Sequence, residues 1–304
     1  MSQGLLCLIS TFTPKPARMN VKWLVEDFEP DNKIWELVAE IKRQGHECEF
    51  INYLSYAYGA KNPLGKKGNY PDEDCVIFQG SIQLASWLYA HKSWVPTVWF
   101  EKDKFKCSMY YSYLGKYLFN SDYEFTTVAE YHRRLDYFTN RHSVANCLFV
   151  RPDTGMKSFT GQVFEMERHR TDWMFFKQFV KPEDLLVVAS PKKICAEWRF
   201  VIAEGKIIAS SLYHLNGHRH HACGAPDEAT KLCELVVAEA ERELKPGPMY
   251  VVDVCKDSND NYGLLELNCF SCAGLYACDK EPIVREASRI AWKQHQTYHK
   301  SLDI

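Results

Sequence analysis

Apolar residues along the first eighty positions alternate between short continuous runs and helical spacing. Val21 to Val25, His46 to Tyr53 and Asp74 to Phe78 have strand length, and between the first two lies Lys33 to Gln44, where Ile34, Leu37, Val38 and Ile41 fall at i, i+3, i+4 and i+7. That spacing places four apolar side chains on one helical face, and Gly45 is a natural stop. Strand, helix and strand in this order predict a parallel sheet. Residues 103 to 145 are aromatic and polar and read as a mostly helical connection. From Asn146 the pattern changes: Cys147 to Val150, Trp173 to Val180, Leu185 to Ala189, Trp198 to Ala203, Lys206 to Tyr213 and Met249 to Val254 read as strands joined by short loops. Glu204-Gly205 between two alternating runs is a hairpin signal, so this half reads as antiparallel. One helix interrupts it, Glu228 to Leu244, which carries Leu232, Leu235, Val236 and Glu239 at helical spacing and ends at Lys245-Pro246-Gly247. The fold class expected is α/β, with an α+β C-terminal half.

Composition narrows the chemistry. The 304 residues are 46% hydrophobic and 25% charged, enough to bury a sizeable core in about two domains. Lys and Arg total 37 against 39 Asp and Glu, a net charge of −2, so no global positive field points to nucleic acid or an anionic membrane. The 12 cysteines are scattered through a core-rich sequence rather than crowded into a short secreted one. The apolar stretch Leu5 to Ile9 is too short for a membrane span and has no basic leader. A reduced, cytoplasmic protein is expected, with most cysteines acting as small buried hydrophobes.

Three constellations carry candidate chemistry. In Tyr250-Val-Val-Asp253-Val and Gly263-Leu-Leu-Glu266-Leu-Asn268, two strands flank a polar turn, and Glu266 and Asn268, two apart, share a face. An acid within Leu-Leu-Glu-Leu is costly unless paired or metal-bound, and with Asp253 facing it the set of hard oxygens suits Mg²⁺. The second is Leu148-Phe-Val-Arg151-Pro152-Asp153-Thr-Gly155-Met-Lys157-Ser-Phe-Thr-Gly161, a strand ending in a cation before a glycine-bounded loop that holds a lysine, apt for phosphate oxygens. No Walker triplet Gly-Lys-Ser/Thr occurs. The third runs from Leu186 through Ser190, Lys192 and Lys193 to Glu197 and Arg199, the last two on one strand face. Gln79-Gly80-Ser81 lies just past a strand end, where parallel sheets place ligands. His214 to His221 is a histidine-rich segment; with Cys269 and Cys272 it reads either as a zinc site or as a pliable polar substrate loop.

Taken together and in this order, the constellations over residues 146 to 279 resemble the ATP-grasp superfamily, in a branch common in phages and bacteria. The resemblance implies an N-terminal Rossmann-like pre-ATP-grasp domain over residues 1–120 and an ATP-grasp domain over 121–304, divided into a small lobe to about 190 and a magnesium-binding lobe beyond. It implies ATP and Mg²⁺ as cofactors. Asp253, Glu266 and Asn268 would be the metal ligands, and Lys157 would contact phosphates. Arg151 would stand where many relatives have lysine, touching phosphate, adenine or neither. Val187, Val188, Ala189 and Ser190 would form the adenine hinge, with Lys192 or Lys193 beside it. Glu197 would accept bonds from ribose hydroxyls, and Arg199 would lie near the transferred phosphate or the acyl intermediate. The activity implied is carboxylate-amine ligation through an acyl phosphate, on an amino acid or peptide, with Ser211, Tyr213, Ser271, Gly274 and Tyr276 flanking the acceptor. A kinase and a nucleotide-binding module without turnover are the alternatives. No membrane partner is implied, nucleic acid is not indicated, and a homo-oligomer is left open.

Overall fold

Three sheets, each drawn from its own stretch of sequence, organise the chain. The computed structural model describes residues 19–27, 33–52, 62–64, 66–156 and 158–302. The first sheet is parallel, in the order β2-β1-β3, and consists of β1 (Val21–Asp27), β2 (Glu47–Asn52) and β3 (Cys75–Gln79). Every residue of β3 is buried, as expected where helices cover both faces of a parallel sheet. Helix α1 (Ile34–Arg43) packs through the four residues that its spacing singles out, Ile34, Leu37, Val38 and Ile41. Helix α2 (Ile82–His91) follows β3, capped by Ser81, whose hydroxyl accepts the Leu84 amide at 3.2 Å. Helix α3 (Cys107–Leu114) then leads toward the second sheet.

That sheet is antiparallel, in the order β4-β7-β5-β6, from β4 (Glu124–Thr127), β5 (Cys147–Pro152), β6 (Gln162–Glu165) and β7 (Leu185–Ala189). Along β5 the alternation is clean. Leu148 and Val150 turn into a small core with Phe164, Leu186, Val188, Tyr131 and Phe138, while Phe149 and Arg151 face the other way. Helices α4 (Val128–Arg133), α5 (Leu135–His142) and α6 (His169–Phe176) cover the core side. The expected strand Trp173 to Val180 is instead the end of α6 and a 3-10 turn. His169, Trp173 and Phe176 recur at helical spacing and face inward, whereas Met174 and Phe175 are 60% and 62% exposed. A short apolar run does not reveal its own period, and here packing selects the helix.

The third sheet has five antiparallel strands in the order β10-β9-β8-β11-β12: β8 (Ala196–Ala203), β9 (Lys206–Leu215), β10 (His218–Cys223), β11 (Met249–Lys256) and β12 (Tyr262–Cys269). Helix α7 (Asp227–Glu243) covers the face that carries Phe200, Ile202, Tyr250 and Val252. Helix α8 (Lys280–Leu302) covers part of the opposite face, over Val201, Ala203, Met249 and Val251, and also packs against the first sheet, where Trp23 donates to Ser288 at 3.1 Å. The reading of the sequence contains no counterpart of α8. Among the described residues no helix is long and apolar enough to cross a membrane.

The histidine-rich segment is not a free loop. Asn216 and Gly217 have φ of 50° and 83°, a two-residue turn that folds β10 back onto β9 as an edge strand.

Candidate active site

Strand register assembles a row of charge. Arg199 on β8, Asp253 on β11 and Glu266 on β12 are direct cross-strand partners, and Ser211 on β9 continues the row. They project from the same face as Val201 and Val251, beyond the part that α8 covers. Asp253 is wholly buried. Arg199 Nε donates to its Oδ1 at 2.8 Å and Nη2 to its Oδ2 at 2.6 Å, while Nη1 donates to the Gly274 carbonyl at 2.8 Å. Burial opposes the guanidinium's charge, but the field of Asp253 prevails and holds it well above its ordinary range. The stacked rings of Tyr213 and Tyr276, 4.8 Å apart, flank this arginine at 5.5 and 5.0 Å.

Glu266 completes the row from the other side. Its Oε1 accepts from Asn268 Nδ2 at 2.7 Å, and its Oε2 from Arg151 Nη2 at 3.2 Å. Arg151 belongs to β5, so this contact joins two sheets. Two carboxylates on adjacent strands thus stand between two guanidiniums, one from each of two sheets. A paired carboxylate set with an amide beside it is a hard-oxygen donor set, and the residues present fit a magnesium ion.

Between the same two sheets lies a cavity of about 180 Å³. Phe149 and Val163 line it from the four-stranded sheet, Leu264 and Leu265 from β12, and Tyr111, Leu118, Phe119 and Asn120 from the connection. Its charged groups are Arg151 and Lys192. Backbone packing sets its shape: Phe119 N donates to Leu264 O at 2.9 Å, and a Cβ on Gly263 would stand 2.5 Å from Phe119 Cα, so only glycine admits this approach. Apolar walls with cations at the rim suit a flat heteroaromatic ring attached to an anionic tail.

The other residues singled out in the sequence are placed as follows. Val187 and Val188 are buried and laddered on both sides, by β4 and β5. Ala189 pairs with Phe149 alone, and Ser190 follows the strand. The Ser190 hydroxyl bonds Asp122, which also holds Lys192 at 3.0 Å. Burial works to raise the Asp122 pKa, and these two partners outweigh it, leaving the carboxyl below its ordinary range. Both lysines are exposed, and of the two only Lys192 lines the cavity. Glu197 accepts from the Tyr213 hydroxyl at 2.6 Å and lies 3.3 Å from His214 Nδ1; burial pushes its carboxyl up despite that bond. Lys157 lies outside the described residues. Gly155 packs against the segment before α3, where a Cβ would meet the Lys102 carbonyl at 3.1 Å.

Gln79-Gly80-Ser81 meets not a cleft but the segment after β12: Gly80 N donates to Ser271 O at 2.9 Å and Gln79 Nε2 to Ala273 O at 2.7 Å. This turn braces the loop that supplies Gly274 to Arg199. The zinc reading finds no support in the geometry: among the described residues no group of three His, Cys, Asp or Glu side chains is arranged to hold a metal ion. Tyr111, Phe119 and Asn120 are not legible as site residues in the sequence. They come from the aromatic connection and reach the site by tertiary packing, which no local spacing marks.

Residues 122–285 match a family model described as an ATP-grasp domain, the second family of its clade. Among solved structures the fold is similar to D-cycloserine synthetase DcsG, at TM-score 0.58 and 11% identity over 90% of this chain and 100% of that one. It is similar to the D-alanine-D-alanine ligase from Coxiella burnetii, at TM-score 0.56 and 15% identity over 94% and 97% of the two chains. It also resembles the ATP-grasp ligase PsnB complexed with a minimal precursor, at TM-score 0.52 and 12% identity over 90% and 99%. At these identities the likeness is one of fold. No curated protein sequence matches the chain.

Proposed function

Because the chain belongs to the ATP-grasp family, we propose that it is an ATP- and Mg²⁺-dependent ligase that joins a carboxylate to an amine. The observation that carries this reading is the line Arg199, Asp253, Glu266, Arg151, which meets an apolar cavity at the junction of two sheets. The similar solved structures are of ligases for D-alanine, a D-cycloserine synthetase and a ligase solved with a precursor, which favours an amino acid or peptide as substrate. A cytoplasmic location and the division at about residue 120 belong to the same proposal.

In this reading the base of ATP occupies the cavity, with Val187 to Ser190 as the hinge and Lys192 at its rim. Arg151 and Lys157 address the phosphates. Glu266 and Asn268 would hold Mg²⁺; Asp253, expected as a third ligand, has both carboxylate oxygens bonded to Arg199 and stands beside them. When bound, the ion neutralises phosphate charge. A substrate carboxylate oxygen bonds to the terminal phosphorus as the bond to ADP breaks. The amine nitrogen then attacks the acyl carbon, phosphate leaves, and the amine proton passes to solvent. Two anions must meet in the first step, so fixed positive groups that need no rearrangement are what the site has to supply. Arg151 does this from one lobe. Arg199 does it indirectly, by holding Asp253 and the Gly274 carbonyl in place.

The test is ADP release from ATP and Mg²⁺ across amino acids, peptides and small carboxylic acids, with Glu266→Gln as control and mass spectrometry of the product. Acceptor-dependent release with an amide product supports ligation, while a phosphorylated product without amine would replace the ligase with a kinase. Absence of Mg²⁺-dependent ATP binding in calorimetry would overturn the reading.

A further inference from the structure

Helix α6 shows solvent an apolar surface that its place in the core does not require. Trp173 and Phe176 pack inward, yet Met174 and Phe175 are 60% and 62% exposed, and Phe179 in the 3-10 turn that follows is 46% exposed. The Phe175 and Phe179 rings lie 5.7 Å apart, and Phe176, seated against Phe159 and Phe164, meets Phe175 edge-on at 5.2 Å. A single exposed apolar side chain is ordinary, but three large ones so close together form a patch. Cations border it. Arg170, Met174 and Lys177 recur at i, i+4 and i+7, which sets the two charges on one helical edge about 10 Å apart, and Lys181 follows, also exposed. The one acid of α6, Asp172, is taken by Arg168 at 3.5 Å, and no acid lies between Trp173 and Pro182. Among the described residues Arg170, Lys177 and Lys181 enter no ion pair, whereas arginines on other helices do: Arg43 with Glu40, Arg133 with Glu130, Arg242 with Glu239 and Arg285 with Glu281.

We propose that the solvent face of α6 binds single-stranded nucleic acid, with phosphates along the edge of Arg170 and Lys177 and bases stacked on Phe175 and Phe179. Phosphate oxygens supply the anions that this edge lacks, and a base of any identity offers a flat face to an exposed ring. Cations on one side and rings on the other match a polymer whose charge runs along its backbone and whose planar groups hang from it. The net charge of −2 gives no long-range attraction, so the contact is local and its affinity depends on the rings as much as on charge. A second copy of the chain packed on this patch would set two groups of cations at one interface with no acid to meet them. The surface is also separate from the cavity, because Phe149 and Arg151, which line that cavity, project from the other face of the four-stranded sheet.

The experiment is fluorescence anisotropy of a labelled oligodeoxythymidine of about 20 nucleotides titrated with the full chain, without ATP, between about 50 and 200 mM salt. The proteins compared are the wild type, Phe175→Ala and the double variant Arg170→Gln with Lys177→Gln. The wild type should bind saturably, with log affinity falling against log salt at a slope of about −2, as for three phosphates of a single strand. Phe175→Ala should weaken binding about tenfold with the slope kept, and the double variant should reduce the slope to about −0.7. These side chains are exposed, so the variants are expected to keep the wild-type circular dichroism and thermal unfolding. No binding at about 50 mM salt overturns the proposal, as does a Phe175→Ala protein that binds like the wild type or a double variant with an unchanged slope. Equal affinity for the duplex with oligodeoxyadenosine, whose bases are closed to the rings, also overturns it. Binding to phosphatidylserine vesicles without binding to the oligonucleotide reassigns the patch to a membrane surface, and self-association in sedimentation that Phe175→Ala abolishes, again without oligonucleotide binding, reassigns it to a second copy of the chain.

Discussion

The two arginines of the site live in opposite circumstances. Arg199 is 5% exposed, belongs to the same sheet as its carboxylate, and has all three nitrogens bonded, two of them to Asp253. Arg151 reaches from the four-stranded sheet to Glu266 through a single contact at 3.2 Å, with 14% and 17% of the two side chains exposed. The five-stranded sheet therefore carries fixed charge, held by register and by the braced loop after β12. The four-stranded sheet carries charge that is set by how the two sheets meet. The proposed ligation needs both: a frame that does not rearrange, and a sheet whose contacts can give way to a nucleotide.

The largest consequence is at the fixed pole. Arg199→Ala leaves the Asp253 carboxylate buried beside Glu266 without its cation, which should cost about 3–5 kcal/mol of stability in urea unfolding at neutral pH. Replacing Arg199 and Asp253 together with apolar residues of similar volume should cost markedly less, since no charge is then stranded. Equal losses in the two experiments would mean that the pair is not the element that holds this frame.

Next in size is the junction itself. Glu266→Gln keeps shape and removes the carboxylate that faces Asn268 and Arg151, so ADP release should fall by about 10²–10³-fold. Its unfolding free energy should move by less than about 1 kcal/mol, because the side chain is not fully buried. Activity and stability are thereby expected to separate here, where at Arg199 they fall together.

The four-stranded sheet and its helices have their own liability. Burial, aided by the nearby His132, pushes the His169 imidazole down to about 4, and its Nε2 lies 2.9 Å from the Tyr131 hydroxyl. The folded state thus keeps His169 neutral where the unfolded chain protonates it near 6.5. The unfolded state binds more protons between those values, so this contribution is whole above about pH 6.5 and is lost as pH falls toward about 4, to a limit of about 3 kcal/mol. Hydrogen exchange of β5 and β7 amides should quicken over that window in the wild type. In His169→Gln the same window should be flatter, while β8 and β11 follow no such profile in either protein.

What the sequence reveals divides along similar lines. Glu266 and Asn268 are legible because a polar pair two apart inside an apolar strand is a local contradiction, and α1 is legible because its four buried residues repeat at the helical period. The pairing of Arg199 with Asp253 is not legible. They lie 54 residues apart, and only the register of β8 against β11 makes them neighbours. Trp173 to Val180 misleads because continuous aromatics have no period until a core chooses one face. The histidine-rich hairpin is signalled by Asn216-Gly217, a turn pair whose force the surrounding polar residues obscure. Asn120 carries no local mark at all, since its place on the wall arises from a carbonyl 70 residues away and a cavity between sheets.

The smallest effect is the sharpest test of the contrast, because the same substitution can be made at both arginines. Lysine keeps the charge and loses the planar fork. At Arg199 the fork meets both oxygens of Asp253 and a third acceptor, so Arg199→Lys gives up geometry that an ammonium cannot reproduce and should lower stability clearly. At Arg151 a single long contact is replaced by another of similar kind. Arg151→Lys should leave unfolding within about 0.5 kcal/mol of the wild type and raise the KM for ATP by about three- to tenfold with kcat nearly unchanged, as befits a group that orients the nucleotide rather than holding the fold. If Arg151→Lys instead destabilises the protein as much as Arg199→Lys does, the four-stranded sheet is pinned as firmly as the five-stranded one. The contact with Glu266 would then be part of the frame.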